Sequence, residues 1–179
     1  MSRRLLGLCL AGLLAAGITG CSSAPRKRAV KMGPVDTGAG TLTAARQYLE
    51  GRWTLESFDV FPPGKEPIRA KGAGTLLYDE YGNLKMDIRT DPATGDALSK
   101  VGITVKNGEI ASEGRTIVNL QDHSIKYVME GQTGHGFERS GPLGIDRPRY
   151  WQVDGNLLTL TTRSDDGKDL SVAKWRKMP

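Results

Sequence analysis

The chain has 179 residues, a length typical of one domain with short extensions. Its 25 basic and 20 acidic side chains leave a formal net charge of +5, which is too mild an excess to indicate a nucleic-acid-binding protein. The only two cysteines are Cys9 and Cys21. They lie close to the N-terminus, so neither a disulfide framework nor a cysteine-based metal site is expected in the rest of the chain.

The N-terminus carries the pattern of an export signal. Arg3 and Arg4 precede an apolar run, Leu5 to Leu14, that is too short to span a bilayer. The following Ile18-Thr19-Gly20-Cys21 resembles the lipobox of bacterial lipoproteins. The resemblance implies transfer of a diacylglycerol to the Cys21 sulfur, cleavage before Cys21 and acylation of the new amino terminus.

This resemblance also predicts a location and a division of the chain. A Ser at the position after the cysteine, Ser22, implies the outer membrane as destination, with the protein facing the periplasm. Residues 1–20 are then the signal peptide, residues 21–42 the lipidated cysteine and a flexible tether, and residues 43–179 the folded domain. The segment from 22 to 40 is rich in Gly, Pro, Ser and charge and lacks hydrophobic periodicity, as expected of a tether.

One short helix is predicted before the first strand. Thr41 to Glu50 contains strong helix formers, Thr43 is a suitable N-cap, and Gly51 is a suitable stop. No further helix is predicted after Trp53, because no later segment shows amphipathic helical periodicity.

From Trp53 onward, short alternating runs predict about ten strands. In residues 83–90 Leu84, Met86 and Ile88 alternate with polar residues, and Val101, Ile103 and Val105 repeat the pattern. The expected strands are 53–61, 73–79, 83–90, 100–106, 109–112, 114–121, 123–130, 148–154, 156–163 and 169–177. Turns such as 81–83 and 106–108 contain Gly and Asn, so consecutive strands are expected to form antiparallel hairpins.

Many short hairpins in sequence order favour an all-β, antiparallel up-and-down β-barrel, because closure removes both edge strands. A Greek-key sandwich is the alternative. Closure places the apolar face of each strand inside, where a barrel of this size holds either packed side chains or one small ligand. The predicted ligand-binding residues are the inward-facing Met86, Ile88, Ile103, Tyr127 and Met129. No charged side chain is expected among them.

Two segments carry a resemblance to a known fold. Gly51-Arg52-Trp53, after a short helix, resembles the G-x-W start of the lipocalin and calycin barrels, and residues 156–176 resemble the closing hairpin of bacterial lipocalin-like domains. The resemblance covers about residues 45–177. It implies that Trp53 plugs the closed end of the barrel and that Arg176 lies across its ring. Segments near 91–100 and 131–148 match no part of the pattern.

The remaining candidate residues predict little chemistry. His123 is expected in a hairpin turn, and His135, in a glycine-rich loop, is the candidate for heme ligation that some calycin-like barrels suggest. Arg139, Arg147 and Arg149 with neighbouring aromatics form a cluster suited either to a headgroup or sugar or to an ordinary barrel rim. Neither a hydrolase elbow nor a phosphate loop is present, and no catalytic residue, cofactor or metal is expected.

The sequence therefore predicts a membrane-anchored lipoprotein whose barrel binds a small hydrophobic or amphipathic ligand without catalysis. The alternative is a structural or assembly lipoprotein with a filled barrel that docks a protein partner. An enzyme is a third possibility, since calycin-like barrels include isomerases.

Overall fold

The computed structural model describes residues 41–70, 72–127, 133–135, 144 and 146–179, with the backbone alone for 133–135. Every described residue belongs to one compact unit, Asp36–Pro179. The lipobox, Cys21 and residues 22–40 of the predicted tether lie outside the described residues, whereas the last two predicted tether residues, Thr41 and Leu42, are the N-cap and the first residue of α1. Among the helices of the described part, none is long and apolar enough to cross a membrane.

The described residues form two short helices and ten strands. The helices are α1 (Leu42–Leu49) and α2 (Pro92–Ser99). The strands are β1 (Gly51–Val60), β2 (Ile68–Ala70), β3 (Gly72–Tyr78), β4 (Asn83–Thr90), β5 (Glu109–Asn119), β6 (Ser124–Tyr127), β7 (Thr133–His135), β8 (Arg149–Asp154), β9 (Leu157–Arg163) and β10 (Asp169–Lys177).

Eight of these strands close an antiparallel barrel in up-and-down order, which confirms the predicted fold class. The order β1-β3-β4-β5-β6-β8-β9-β10 follows the chain, and β10 pairs with β1 to complete the ring. The short strands β2 and β7 lie along β1 and β5 respectively, each pairing with a part of its neighbour that the adjacent barrel strand leaves uncovered. Closure gives the backbone groups of both terminal strands a hydrogen-bonding partner.

Alternation along each strand places apolar side chains inside. In β4, Leu84 and Ile88 are buried while Lys85 and Arg89 are exposed, as the period-two pattern predicts. The largest fully buried side chains are Trp53 of β1 and Trp175 of β10. All eight barrel strands therefore contribute side chains to one hydrophobic core.

The register defines two ends of the barrel. At the α1 end, Gly51 pairs with Tyr78 and Trp53 with Lys177, so that end gathers α1, the turn at 79–82 and the C-terminus. At the α2 end, Val60 pairs with Ser171, so that end gathers the loop at 61–67, α2 and the turn at 164–168. The two ends differ in composition, as shown below.

The segment from 91 to 108 corrects the sequence prediction. Instead of a strand at 100–106, the chain forms α2 and then an irregular connection. The Asp91 side chain caps α2 by accepting a hydrogen bond from the Thr94 amide (2.9 Å), and Pro92 occupies the first turn. The alternation of Val101, Ile103 and Val105 therefore reflects packing of a connection against the core, and the prediction of no helix after Trp53 was wrong.

Two smaller predictions also change. The expected strands 109–112 and 114–121 are a single strand, β5. Helix α1 is capped by Thr41 rather than Thr43, and the chain passes directly into β1 at Gly51. Gly51 has a φ of +134°, a backbone conformation that favours glycine, whereas the nearest atom to a Cβ there would be Cε of the flexible Lys177 side chain, which can move aside.

Candidate functional site

The candidate site is a small cavity inside the barrel, termed here the barrel cavity. Its volume is about 40 Å³, which is room for a few water molecules, since each needs about 10–15 Å³ of such space. Ten residues line it: Phe58, Leu84, Met86, Ser112, Tyr127, Arg149, Leu160, Thr162, Ser171 and Ala173. A cavity of this size does not hold an acyl chain unless its wall side chains move.

The lining has a polar side. The hydroxyls of Ser112 on β5 and Tyr127 on β6 share a hydrogen bond of 2.8 Å, and both residues are buried. Burial raises the pKa of the Tyr127 hydroxyl, although the bond to Ser112 and the nearby charge of Arg149 oppose that shift. Tyr127 is therefore a neutral hydroxyl at physiological pH, able to donate or accept one hydrogen bond.

Arg149, at the start of β8, brings a positive charge to the cavity. Its guanidinium carbon lies 5.7 Å from the centroid of the Tyr127 ring, and its Nη1 donates to the carbonyls of Gly144 (3.0 Å) and Arg147 (2.6 Å). Burial lowers the pKa of Arg149, while Tyr127 and Asp146 oppose the shift. The arginine remains charged, since the ordinary pKa of arginine lies far above neutrality.

The presence of Arg149 corrects the expectation of an interior without charged side chains. Arg149, Trp151 and Val153 alternate along β8, and Trp151 and Val153 pack against the core. Because side chains two residues apart share a face, this alternation was the signal in the sequence that places Arg149 inside. Arg147, from the same predicted cluster, instead forms an ion pair with Asp165 at 3.0 Å, and Arg139 lies outside the described residues.

The predicted ligand-binding residues are distributed unevenly. Met86 and Tyr127 line the barrel cavity. Ile88 and Ile103 are almost completely buried and belong to the packed core, but they do not reach the cavity. Ile103 is on the connection after α2 rather than on a strand. Met129 lies outside the described residues.

At the α1 end, the barrel is sealed. Trp53 is fully buried, and its Nε1 donates a hydrogen bond to the Leu49 carbonyl at 3.0 Å, which links the last residue of α1 to β1 at this end of the barrel. The cation near the ring is Lys177, whose Nζ lies 5.2 Å from the ring centroid.

This arrangement corrects the role predicted for Arg176. Trp53 pairs with Lys177, whereas Arg176 pairs with Thr54 and therefore faces the other side of the sheet. There Arg176 binds the carboxylate of Glu56 and donates to Asn156 at 3.2 Å. Strand alternation, rather than the identity of the basic residue, decides which cation meets the tryptophan.

A second concavity, termed the α1 cleft, lies between α1, the β5–β6 turn and β8. Its volume is about 270 Å³, and it is lined by Thr41, Ala45, Tyr48, Leu120, His123, Trp151 and Val153. The His123 and Trp151 rings stack with centroids 4.8 Å apart and planes 22° apart. This volume falls just below the range of about 300–1,000 Å³ common for small-molecule pockets.

The histidines provide no metal centre within the described part of the chain. His123 lies in the β5–β6 turn with a φ of +51° and stacks on Trp151. The side chain of His135, on β7, lies outside the described residues, and with it the test of heme ligation. No group of three or more His, Cys, Asp or Glu side chains is placed to hold a metal ion in the described residues.

Comparison of the sequence with models of known protein families and with curated proteins gave no match. The closed eight-stranded antiparallel barrel is consistent with the calycin-like fold that the G-x-W segment resembles. The functional argument therefore depends on the site itself.

Proposed function

We propose that this protein is an outer-membrane-anchored lipoprotein, facing the periplasm, whose β-barrel binds a small amphipathic ligand without catalysing a reaction. The observation that carries the proposal is the two-sided lining of the barrel cavity. Arg149, Tyr127 and Ser112 offer a charge and hydroxyls on one side, and the other side includes Phe58 and Met86. Such a lining suits a molecule with one polar, preferably anionic, end and an apolar body.

The size of the cavity limits how the ligand enters. A space of about 40 Å³ admits a few atoms at most, so a longer ligand requires wall side chains to move. Met86 is half-buried and unbranched, which makes it the adaptable part of the wall. We expect binding to be accompanied by a change in the environment of Met86.

The anchoring part of the proposal is supported by the sequence. The lipobox-like segment ending at Cys21 and the polar stretch after it have the pattern that lipoprotein acylation requires. Multiple acyl chains provide stable attachment, since each buried methylene contributes about 0.8 kcal/mol. Incorporation of labelled palmitate into the wild type but not into Cys21→Ala tests this part directly.

Ligand binding is tested by mass spectrometry of the protein extracted from membranes and by titration with a fluorescent fatty-acid probe. We expect Arg149→Met to weaken probe binding by about tenfold, because a charge-assisted hydrogen bond is worth roughly 1.5–3 kcal/mol. The matched control is Arg147→Met, since Arg147 pairs with Asp165 on the surface. Equal affinities for the two variants, or no bound molecule and no probe binding in the wild type, would contradict the proposal.

The small size of the barrel cavity favours one alternative. Trp53 and Trp175 are completely buried in the core, and the barrel cavity measures only about 40 Å³. A structural lipoprotein that docks a protein partner with its outer surface requires no more space than this. Copurification of a stoichiometric envelope protein, together with failure of every probe to bind, would support this alternative.

A further inference from the structure

The exposed large hydrophobic side chains of the described residues are concentrated at one end of the barrel. Together they are termed the α1-end patch: Leu42 and Tyr48 on α1, Tyr81 in the β3–β4 turn, Ile117 near the end of β5, and Met178 after β10. Isolated exposed hydrophobics are common and require no explanation. Their concentration at one end of the barrel, however, does require an explanation.

The strand register places these five residues at the same end. Gly51, which follows α1, pairs with Tyr78 next to the turn that carries Tyr81. Trp53 pairs with Lys177, next to Met178. Strand β5 runs from the α2 end and finishes at Asn119, two residues after Ile117. At the α2 end, none of the described residues is a large hydrophobic residue with comparable exposure.

The exposed fractions are large for side chains of this kind. Tyr81 is 70% exposed, Ile117 63% and Tyr48 53%. Tyrosine combines an apolar ring with a hydroxyl that remains hydrated, which is why it is enriched where lipid headgroups meet acyl chains. A turn, a short helix and a strand end that present Tyr, Leu, Ile and Met together have the composition of an interfacial contact.

The chain enters the domain at the same end. Thr41 caps α1, and the twenty residues from Cys21 to Gly40 precede it directly. A polar segment of that length spans about 25 Å at the root-mean-square. An anchor at Cys21 therefore keeps the α1 end, rather than the α2 end, within reach of the bilayer.

Charges around the patch are of both signs. Five basic residues are accompanied by four acidic ones: Arg46, Arg52, Arg115, Lys126 and Lys177 against Glu50, Asp79, Glu80 and Asp122. A surface with nearly balanced charges is attracted only weakly to anionic lipids, whereas a polybasic segment is attracted to them strongly. The contact should therefore depend on apolar and tyrosine side chains and change little with salt.

We propose that the α1 end of the barrel is a membrane-contact surface that lies in the headgroup region of a lipid bilayer and directs the α2 end towards the aqueous side. This inference relies on the anchoring at Cys21 proposed above and goes beyond it, because a tether alone leaves the orientation of the barrel free. It also directs Arg149, which lies towards the α2 end, away from the membrane.

The first test uses the acylated full-length protein in vesicles of phosphatidylethanolamine and phosphatidylglycerol that contain a doxyl-labelled lipid. An environment-sensitive fluorophore is attached at Tyr81→Cys, with Lys65→Cys in the exposed 61–67 loop of the α2 end as the matched control. We expect quenching at position 81 to exceed that at position 65 by about threefold or more, and to persist at high salt. Equal quenching at the two positions overturns the proposal.

The second test separates failure of the contact from failure of the anchor. Sedimentation with the same vesicles is measured for the compact unit Asp36–Pro179, which lacks both the signal and Cys21, with and without the Tyr48→Ser and Tyr81→Ser pair and with Tyr150→Ser on β8 as the tyrosine control. We expect the pair to lower partitioning by about fivefold and the control to leave it nearly unchanged. Absence of palmitate incorporation rejects the anchor alone. Unchanged partitioning of the pair rejects the membrane contact. A photo-cross-linking group attached at Tyr81→Cys identifies the neighbour directly, and cross-links to a protein rather than to lipid also reject the membrane contact.

Discussion

The two halves of the barrel interior differ in chemistry. The half towards the α1 end mainly stabilises the fold, and the half towards the α2 end carries the groups assigned to ligand binding. Towards the α1 end the interior is mostly apolar, with Trp53, Trp175 and Leu158 almost completely buried and the Trp53 indole hydrogen-bonded to the last residue of α1. The barrel cavity, which reaches towards the α2 end, includes Ser112, Tyr127 and Arg149 in its lining. Buried hydroxyls also occur towards the α1 end, as Thr116 shows, but those of Ser112 and Tyr127 border a cavity beside the charge of Arg149, and we assign these groups to recognition.

The largest expected effect is at the sealed end. Trp53→Ala removes one of the two largest core side chains and its hydrogen bond to Leu49, and should lower the free energy of unfolding by about 3–5 kcal/mol. Urea denaturation followed by circular dichroism measures the change. The control is Tyr81→Ala on the surface, for which we expect a change within about 0.5 kcal/mol. A loss of less than about 2 kcal/mol for Trp53→Ala would show that this end is not the main source of stability.

In the polar half, a smaller effect with a specific signature is expected. Tyr127→Phe leaves the buried Ser112 hydroxyl without its partner and should cost about 1–3 kcal/mol. The double variant Ser112→Ala/Tyr127→Phe removes both hydroxyls and should recover part of that loss, because replacing both partners by apolar groups is nearly neutral. Strictly additive losses in the double-mutant cycle would show that the two hydroxyls are not coupled.

A third comparison tests which cation supports the sealed end. Lys177→Met removes the charge near Trp53 and should cost about 1 kcal/mol. Arg176→Met removes a partly exposed ion pair with Glu56 and should cost less, within about 0.5 kcal/mol. Thermal unfolding of both variants under identical conditions ranks them. The reverse order would mean that the exposed ion pair matters more than the cation near the indole.

The smallest expected effect depends on pH and concerns the turn that carries Tyr81. Asp79 accepts hydrogen bonds from the backbone amides of Tyr81 (2.9 Å) and Asn83 (2.8 Å) and from the Asn83 side chain. Slight burial raises the pKa of Asp79, but the bonds from Asn83 and the turn amides outweigh it, and the net shift is downward.

Because the folded-state pKa of Asp79 is lowered, its contribution to stability is complete above about pH 4 and is lost as the pH falls through the folded-state value. Asp79→Asn should therefore cost about 0.5 kcal/mol at neutral pH, reduced by the solvent exposure of the turn, and nothing at low pH. Denaturant titrations of wild type and variant between these limits measure the difference. If the difference in the free energy of unfolding between wild type and Asp79→Asn does not change with pH, ionisation of Asp79 is not its cause.

Much of the barrel was predictable because its signals are local. The alternation of Leu84, Met86 and Ile88 and the glycine-containing turns correspond to β4 and its hairpins as expected. In contrast, the alternation of Val101, Ile103 and Val105 misled the prediction, because a connection packed against a core shows the same spacing as a strand. The stronger signal there was Asp91-Pro92, an N-cap followed by a proline in the first turn.

The candidate site was predictable only in part. Tyr127 and Met86 were expected inside the barrel and line the cavity, whereas Ile88 and Ile103 are part of the packed core. The hydrophobic pattern of a sequence indicates which residues are buried, but not which buried residues border a cavity. Arg149 was expected in a basic-aromatic cluster, either a headgroup or sugar site or an ordinary barrel rim, whereas its alternation with Trp151 and Val153 places it inside. The concentration of exposed Tyr, Leu, Ile and Met at one end required the pairing of strands distant in sequence.

The amino-acid sequence by itself determined the fold class, because burial on every second residue and the residues suited to tight turns are properties of short segments. Tertiary structure decided which cation lies near Trp53, which side chains border the barrel cavity and which end carries the exposed hydrophobics. The physical reason is register: a shift of one residue between paired strands moves a side chain to the opposite face, and the register is set by closure of the whole barrel.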